Sequence, residues 1–182
     1  MIGKLLRHVP VAGERRSPFA GPAFAAPAEI TVSSAAFRDG GAMPKTTAGK
    51  GVGDDLSPQL GWAGVPPQTR QLVLIMDDVD VPLPRPLLHA VAVIDPAVQN
   101  VDAGALTPET AGLRFIPGTL GHRGYTGPRP IPGHGPHRYR FLVFALDTPV
   151  ADGVTSSKAL RKQMAGHVLA RGMLTGTYER SG

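Results

Sequence analysis

Gly118-Thr-Leu-Gly-His-Arg-Gly-Tyr-Thr-Gly-Pro-Arg-Pro-Ile-Pro-Gly-His-Gly-Pro-His-Arg-Tyr-Arg140 runs straight into the apolar stretch Phe141-Leu-Val-Phe-Ala-Leu146. Glycine admits positive φ and a close backbone approach, and proline fixes φ and removes a donor. So dense a mixture excludes a helix and leads the chain into a buried strand. The stretch carries Tyr125, His122, His134, His137 and the arginines 123, 129, 138 and 140, with no acid. Such a loop reads either as an anion cradle or as an ordered surface loop with solvated bases.

Working outward, further apolar runs of strand length are Gln71–Met76 and Leu87–Ile94, alongside Arg138–Leu146. Glu29–Phe37 is rich in β-branched residues and predicts a first strand, and Met173–Glu179 a closing one. Trp62, beside Val65-Pro-Pro67, is expected to cover a core edge. One amphipathic helix is predicted over Thr155–Arg171, with Leu160, Met164, His167 and Val168 on one face and Gly172 as its C-cap. Residues 1–28 are broken by prolines and read as an N-terminal extension. Residues 29–182 show no internal repeat or composition break and read as a single, mainly β domain.

The totals fit this picture. The 182 residues suffice for one packed domain, with 42% hydrophobic and 18% charged residues. Gly (23) and Pro (19) without a repeat period indicate many turns between short strands. The net charge is +5, yet no zinc-finger spacing or aromatic-interleaved basic motif accompanies it, so nucleic acid is not an expected partner. There is no cysteine, which removes disulfides and thiol catalysis. No stretch approaches the roughly 20 apolar residues of a membrane span, and the N-terminus lacks a secretory apolar core. The expectation is a cytoplasmic protein that does not span a membrane.

The chemistry concentrates at strand ends. Asp77, Asp78 and Asp80 follow a buried run, with Asp78 and Asp80 on one face in extended geometry and Asp77 on the other. His89 lies inside an otherwise apolar strand and needs a polar partner there. A structural Asp–His hydrogen bond satisfies that need. A pocket joining Asp78, His89 and His137 would instead bind an anion or move protons. The His and Asp spacings match no compact metal motif, no nucleophile elbow is present, and no cofactor is implied.

The blocks Asp54-Asp-Leu-Ser-Pro-Gln-Leu-Gly-Trp62, Asp78-Val-Asp-Val-Pro82, His89, Gly124-Tyr-Thr-Gly-Pro128, Pro136-His-Arg-Tyr-Arg-Phe141 and Gly176-Thr-Tyr-Glu-Arg180 occur in that order. The series resembles the phosphatidylethanolamine-binding protein family in its bacterial, Raf-kinase-inhibitor-like (YbhB/YbcL-like) branch. The resemblance covers roughly residues 29–180. It implies an antiparallel β-sandwich with peripheral helices, one of them C-terminal, and a small pocket built from Asp78, Asp80, His89, Tyr125, Gly127, Pro128 and His137. It also implies a small anionic or phosphate-containing ligand and a possible homodimer. The family usually reads Asp-Pro-Asp-Ala-Pro where this chain has Asp78-Val79-Asp80-Val81-Pro82, so one rigid φ constraint is missing. Three functions fit these residues: a binding module for a small anion, an enzyme using His89, His137 and Asp78 in acid–base roles, and a kinase-inhibitor-like interaction regulator.

Overall fold

The computed structural model describes residues 2–182. Its centre is β8 (His137–Leu146), which pairs along its length with β4 (Gln71–Asp78) on one side and β9 (Val168–Tyr178) on the other. Outside β4 lie β5 (Leu87–Ile94) and β7 (Leu113–Phe115), and outside β9 lies β1 (Ala28–Glu29). Every pair in this six-stranded sheet is antiparallel except β1–β9, which makes the sheet mixed. A second sheet orders β2 (Thr31–Ser33), β3 (Leu60–Ala63) and β6 (Asn100–Val101). The architecture is thus mainly β, in two open sheets with two α-helices.

The strands β4, β5 and β8 of the large sheet are buried on both faces, which is why they read as continuous apolar runs, whereas β9 alternates. Tyr139, Phe141, Val143 and Ala145 of β8 face a core shared with Leu60, Trp62 and Val101 of the small sheet. Leu142, Phe144 and Leu146 face the opposite core, closed by Phe19, Phe24, Leu160 and Met164. Phe19 and Phe24 come from the N-terminal segment, which also pairs its backbone with the chain after β4 through Ala12 and Gly13. Trp62 is buried, and its indole N–H donates to the Val98 carbonyl.

Two expectations are corrected. Glu29–Phe37 is not one strand: β1 and β2 are short and enter different sheets on either side of Ile30. The helix is also shorter than its pattern. The N-terminal helix α1 spans Ile2–Leu6, and the C-terminal helix α2 spans only Ser157–Met164, capped by the Ser156 hydroxyl. Gly166 then turns the chain at φ 80° and β9 begins at Val168. The ladder to β8 outweighs the helical pattern of the following residues, and His167 is left exposed against Asp147.

Gly172 is therefore not a helix cap but lies within β9, opposite Val143. A Cβ there would collide with the Ile30 carbonyl, where the chain crosses from one sheet to the other. Gly172→Ala is expected to destabilise the fold by about 1–3 kcal/mol, the usual cost of overpacking. Gly153→Ala, which meets open space, should leave the thermal midpoint unchanged. Thermal unfolding of the two variants checks this; equal midpoints would contradict it.

Candidate functional site

The end of β4 brings acids to the start of β8, where bases wait. Asp77 is fully buried and takes two bonds from Arg140, at 2.9 and 2.7 Å, and one from the Ser17 hydroxyl. Asp80 accepts from Arg138 at three donors, the backbone N–H and the Nε and Nη2 groups. Burial alone would raise the Asp80 pKa, but these bonds and the guanidinium charge hold it below its ordinary value. Both carboxylates are taken up by arginines, Asp77 by Arg140 and Asp80 by Arg138. Asp78 is different: its Oδ2 meets His137 Nδ1 at 2.8 Å with both groups buried, and its Oδ1 accepts the Asp80 N–H.

A carboxylate only accepts, so His137 Nδ1 carries a proton. The other nitrogen, Nε2, meets His134 Nδ1 at 2.8 Å. In the neutral state that bond is donated by His134, and His134 Nε2 is then a bare lone pair. It is buried and has no protein partner among the described residues. One added proton on this His–His pair converts that outer nitrogen into a donor.

His89 reaches the same cluster from β5 through a bulge. Met76 pairs with Ala90 and Asp77 with Leu88, so His89 is the extra residue that no β4 residue opposes. Bulges re-aim single side chains in this way. His89 Nδ1 lies 2.7 Å from the Thr126 carbonyl, which fixes its proton on Nδ1 and leaves Nε2 without a protein partner. Burial lowers the His89 pKa, against the opposing pull of the Thr126 carbonyl and of Asp78, and Arg129 adds to the lowering. Tyr139 fills the space between the imidazoles, with its ring centroid 5.3 Å from that of His89 and 6.4 Å from that of His137. Its hydroxyl is a third buried polar atom without a partner among the described residues. Burial first, then the Asp78 charge, pushes its ionisation far up, so it is a neutral donor and acceptor.

The loop after Gly124 forms the adjoining wall. The Tyr125 hydroxyl donates to the Thr47 carbonyl, the Gly127 N–H to Asp55 Oδ1, and the Gly49 N–H to the Pro128 carbonyl. Thr47, Gly49 and Asp55 thus brace the 125–128 loop. Asp55 itself sits at φ 58°, which an Asp tolerates better than most residues. Of the residues expected at the site, Asp78, His89 and His137 gather around one aromatic ring. Tyr125, Gly127 and Pro128 frame them with their polar groups committed to other partners. Tyr139, His134 and Asp55 belong to the constellation but were not among the expected pocket residues, His134 having been read only as one base of the 118–140 loop. Tyr139 was readable in principle, since it lies two residues after His137 and so on the same strand face. The free space touching His89 is about 10 Å³, room for a single water, and is lined by Leu88, Gly118, Leu120, His122 and Thr126 among others.

The lowered His89 pKa has a stability consequence with a definite sign. The unfolded imidazole takes up its proton near pH ~6.5 and the folded one only below that. Its contribution is therefore present above about pH 6.5 and is lost as pH falls toward the folded value. Asn can donate to the Thr126 carbonyl as Nδ1–H does and does not titrate, so His89→Asn should flatten this part of the curve. Denaturant unfolding between about pH 7.5 and 5 measures it, and an unchanged slope would count against the buried neutral imidazole.

The family model for "Phosphatidylethanolamine-binding protein" matches residues 33–179. The UPF0098 protein of Aquifex aeolicus is 36% identical over 156 residues, covering 83% of this chain and 89% of that protein. The crystal structure of CT736 from Chlamydia trachomatis, described as a phosphatidylethanolamine-binding protein homologue, superposes with a TM-score of 0.74 at 33% identity. It covers 84% of this chain and 98% of CT736. E. coli YbcL superposes with a TM-score of 0.75 at 27% identity, covering 84% of this chain and 99% of YbcL. With its fold shared and most of its length matched, this chain belongs to the phosphatidylethanolamine-binding protein family, in company with its bacterial YbcL-like members.

Proposed function

We propose that the cluster of Asp78, His89, His134, His137 and Tyr139 binds a small phosphate-like anion, such as a free phosphate or a phosphorylated head group, without transforming it. The observation that carries this reading is the pair of buried imidazole nitrogens, His89 Nε2 and His134 Nε2, that have no partner among the described residues, with the Tyr139 hydroxyl beside them. Leaving such groups unpaired costs about 1–3 kcal/mol each, and a ligand oxygen relieves it. Arg129, close enough to act on His89, adds positive potential. In the neutral state the imidazoles present lone pairs, so an anion must be accompanied by protons that turn them into donors. An oxygen reaching His137 requires His134 to move aside, because His134 Nδ1 holds His137 Nε2. The entering oxygen would then take the place of His134 Nδ1 on His137 Nε2.

The 2.8 Å Asp78–His137 pair is also the geometry of an oriented base, which favours a second reading as an acid–base enzyme. His134 occupies the nitrogen that such a base would use. The binding module is therefore the better supported reading. An enzyme would lose about 10²–10⁴-fold in rate in His137→Ala; product formation from phosphoesters, followed by mass spectrometry and abolished in that variant, would select the enzyme instead.

Calorimetry tests the binding reading. Phosphate and the non-titrating sulfate should both bind more tightly near pH 6 than near pH 7.5, because a bound anion offsets the burial that lowers the His89 pKa. Buffers of different ionisation enthalpy should reveal proton uptake with sulfate. Joint replacement of His89 and His137 by Ala should abolish the signal. Equal affinity at both pH values without proton uptake, or binding that survives the double replacement, would overturn it.

A further inference from the structure

A second concavity lies on the opposite side of β5 from the small sheet, between the N-terminal segment, the β4–β5 connection and α2. It encloses about 1190 Å³. Its rim carries Arg16 from the N-terminal segment, Arg85 from the connection, and Lys158 and Arg161 from α2. No Asp or Glu lines it. All four cations are exposed, and none forms a salt bridge among the described residues. Glu14, the nearest acid to Arg16 in the sequence, is taken by Arg138 and Arg140. Lys158 and Arg161 are three residues apart on one helical face, so their charges add along one wall. A concave surface lined by one sign of charge focuses potential and attracts the opposite sign.

The floor is apolar. Leu87 and Leu88 form part of it, and Leu83, 45% exposed, stands at its edge. Leu87, Leu88 and Gly118 also line the small space at His89, so the groove opens onto that end of the molecule. A membrane surface is broad and meets protruding side chains, whereas this surface is hollow and of a size to take several side chains of an extended chain. We propose that the groove docks an extended acidic segment of a partner protein. Its carboxylates would engage Arg16, Arg85, Lys158 and Arg161, and its apolar atoms would lie on Leu83, Leu87 and Leu88. This rests on the groove alone and does not depend on what occupies the buried His cluster.

The test is fluorescence anisotropy with a labelled Glu–Pro repeat peptide, which is soluble, extended and acidic. A Lys–Pro repeat serves as the charge control, and sedimentation with phosphatidylserine vesicles tests the membrane. The wild type should bind the Glu–Pro peptide at low salt, weaken as salt rises toward about 0.5 M, and ignore the Lys–Pro peptide. Reversing Arg85, Lys158 and Arg161 together to Glu should weaken binding about tenfold or more, and the neutral Gln triple should fall between. Arg38→Glu with Lys50→Glu, away from the groove, should leave binding unchanged. No binding of the acidic peptide, equal binding by the Glu triple, or vesicle sedimentation without peptide binding would overturn the proposal.

Discussion

The structure turns on how the acidic end of β4 meets the basic start of β8. Over a few residues the ladder must carry three carboxylates between two apolar cores, where an unpaired charge is costly. Asp77 resolves this on the side of Phe19 and Phe24 by a buried bidentate pair with Arg140. Asp80 resolves it at the edge with Arg138. Asp78 faces the other core, and its partner is an imidazole rather than a guanidinium. That single difference sets Asp78 apart from Asp77 and Asp80. The guanidiniums of Arg138 and Arg140 lead on to the Glu14 carboxylate, whereas the His137 imidazole passes the polarity to a second imidazole, His134.

The rest of the site follows from keeping those polar groups dry and fixed. Tyr139 spaces the two imidazole systems, the bulge at His89 aims a third ring at the same place, and the Thr126 carbonyl decides which of its nitrogens holds the proton. The 125–128 loop is immobilised from behind by Thr47, Gly49 and Asp55. The result is a set of buried imidazole nitrogens that serve as lone pairs when neutral and as donors when charged, so the proposed affinity for anions is tied to protonation.

Much of the fold was legible because β4, β5 and β8 are buried on both faces and so leave uninterrupted apolar runs. What failed to show were features set by pairing. The split of residues 28–33 between two sheets depends on where β9 and β3 lie, and the early end of α2 depends on a ladder that residues 168–171 prefer to a helix. Of the site, the Asp78, His89 and His137 trio was visible as polar residues stranded in apolar sequence. Asp80 looked equivalent to Asp78, and Asp77 differed from them only in the face assigned to it, until their arginines were located across the sheet. His134 looked like one basic loop residue among several, since no spacing announces that its ring closes back on His137 three residues later. The bulge that isolates His89 has no local sequence mark, because it is a mismatch between two strands rather than a property of one.

The central claim is that buried imidazole nitrogens stand unpaired until an anion brings protons to them. The most direct measurement is NMR of ¹⁵N-labelled histidine in the protein, which reports the protonation of each ring nitrogen. In ligand-free protein near pH 7.5 the account predicts His89 neutral, with its proton on Nδ1 and a bare Nε2. On adding sulfate near pH 6, Nε2 should gain a proton. A neutral His89 with its proton on Nε2 in the free protein, or ring nitrogens that do not respond to saturating sulfate, would contradict it.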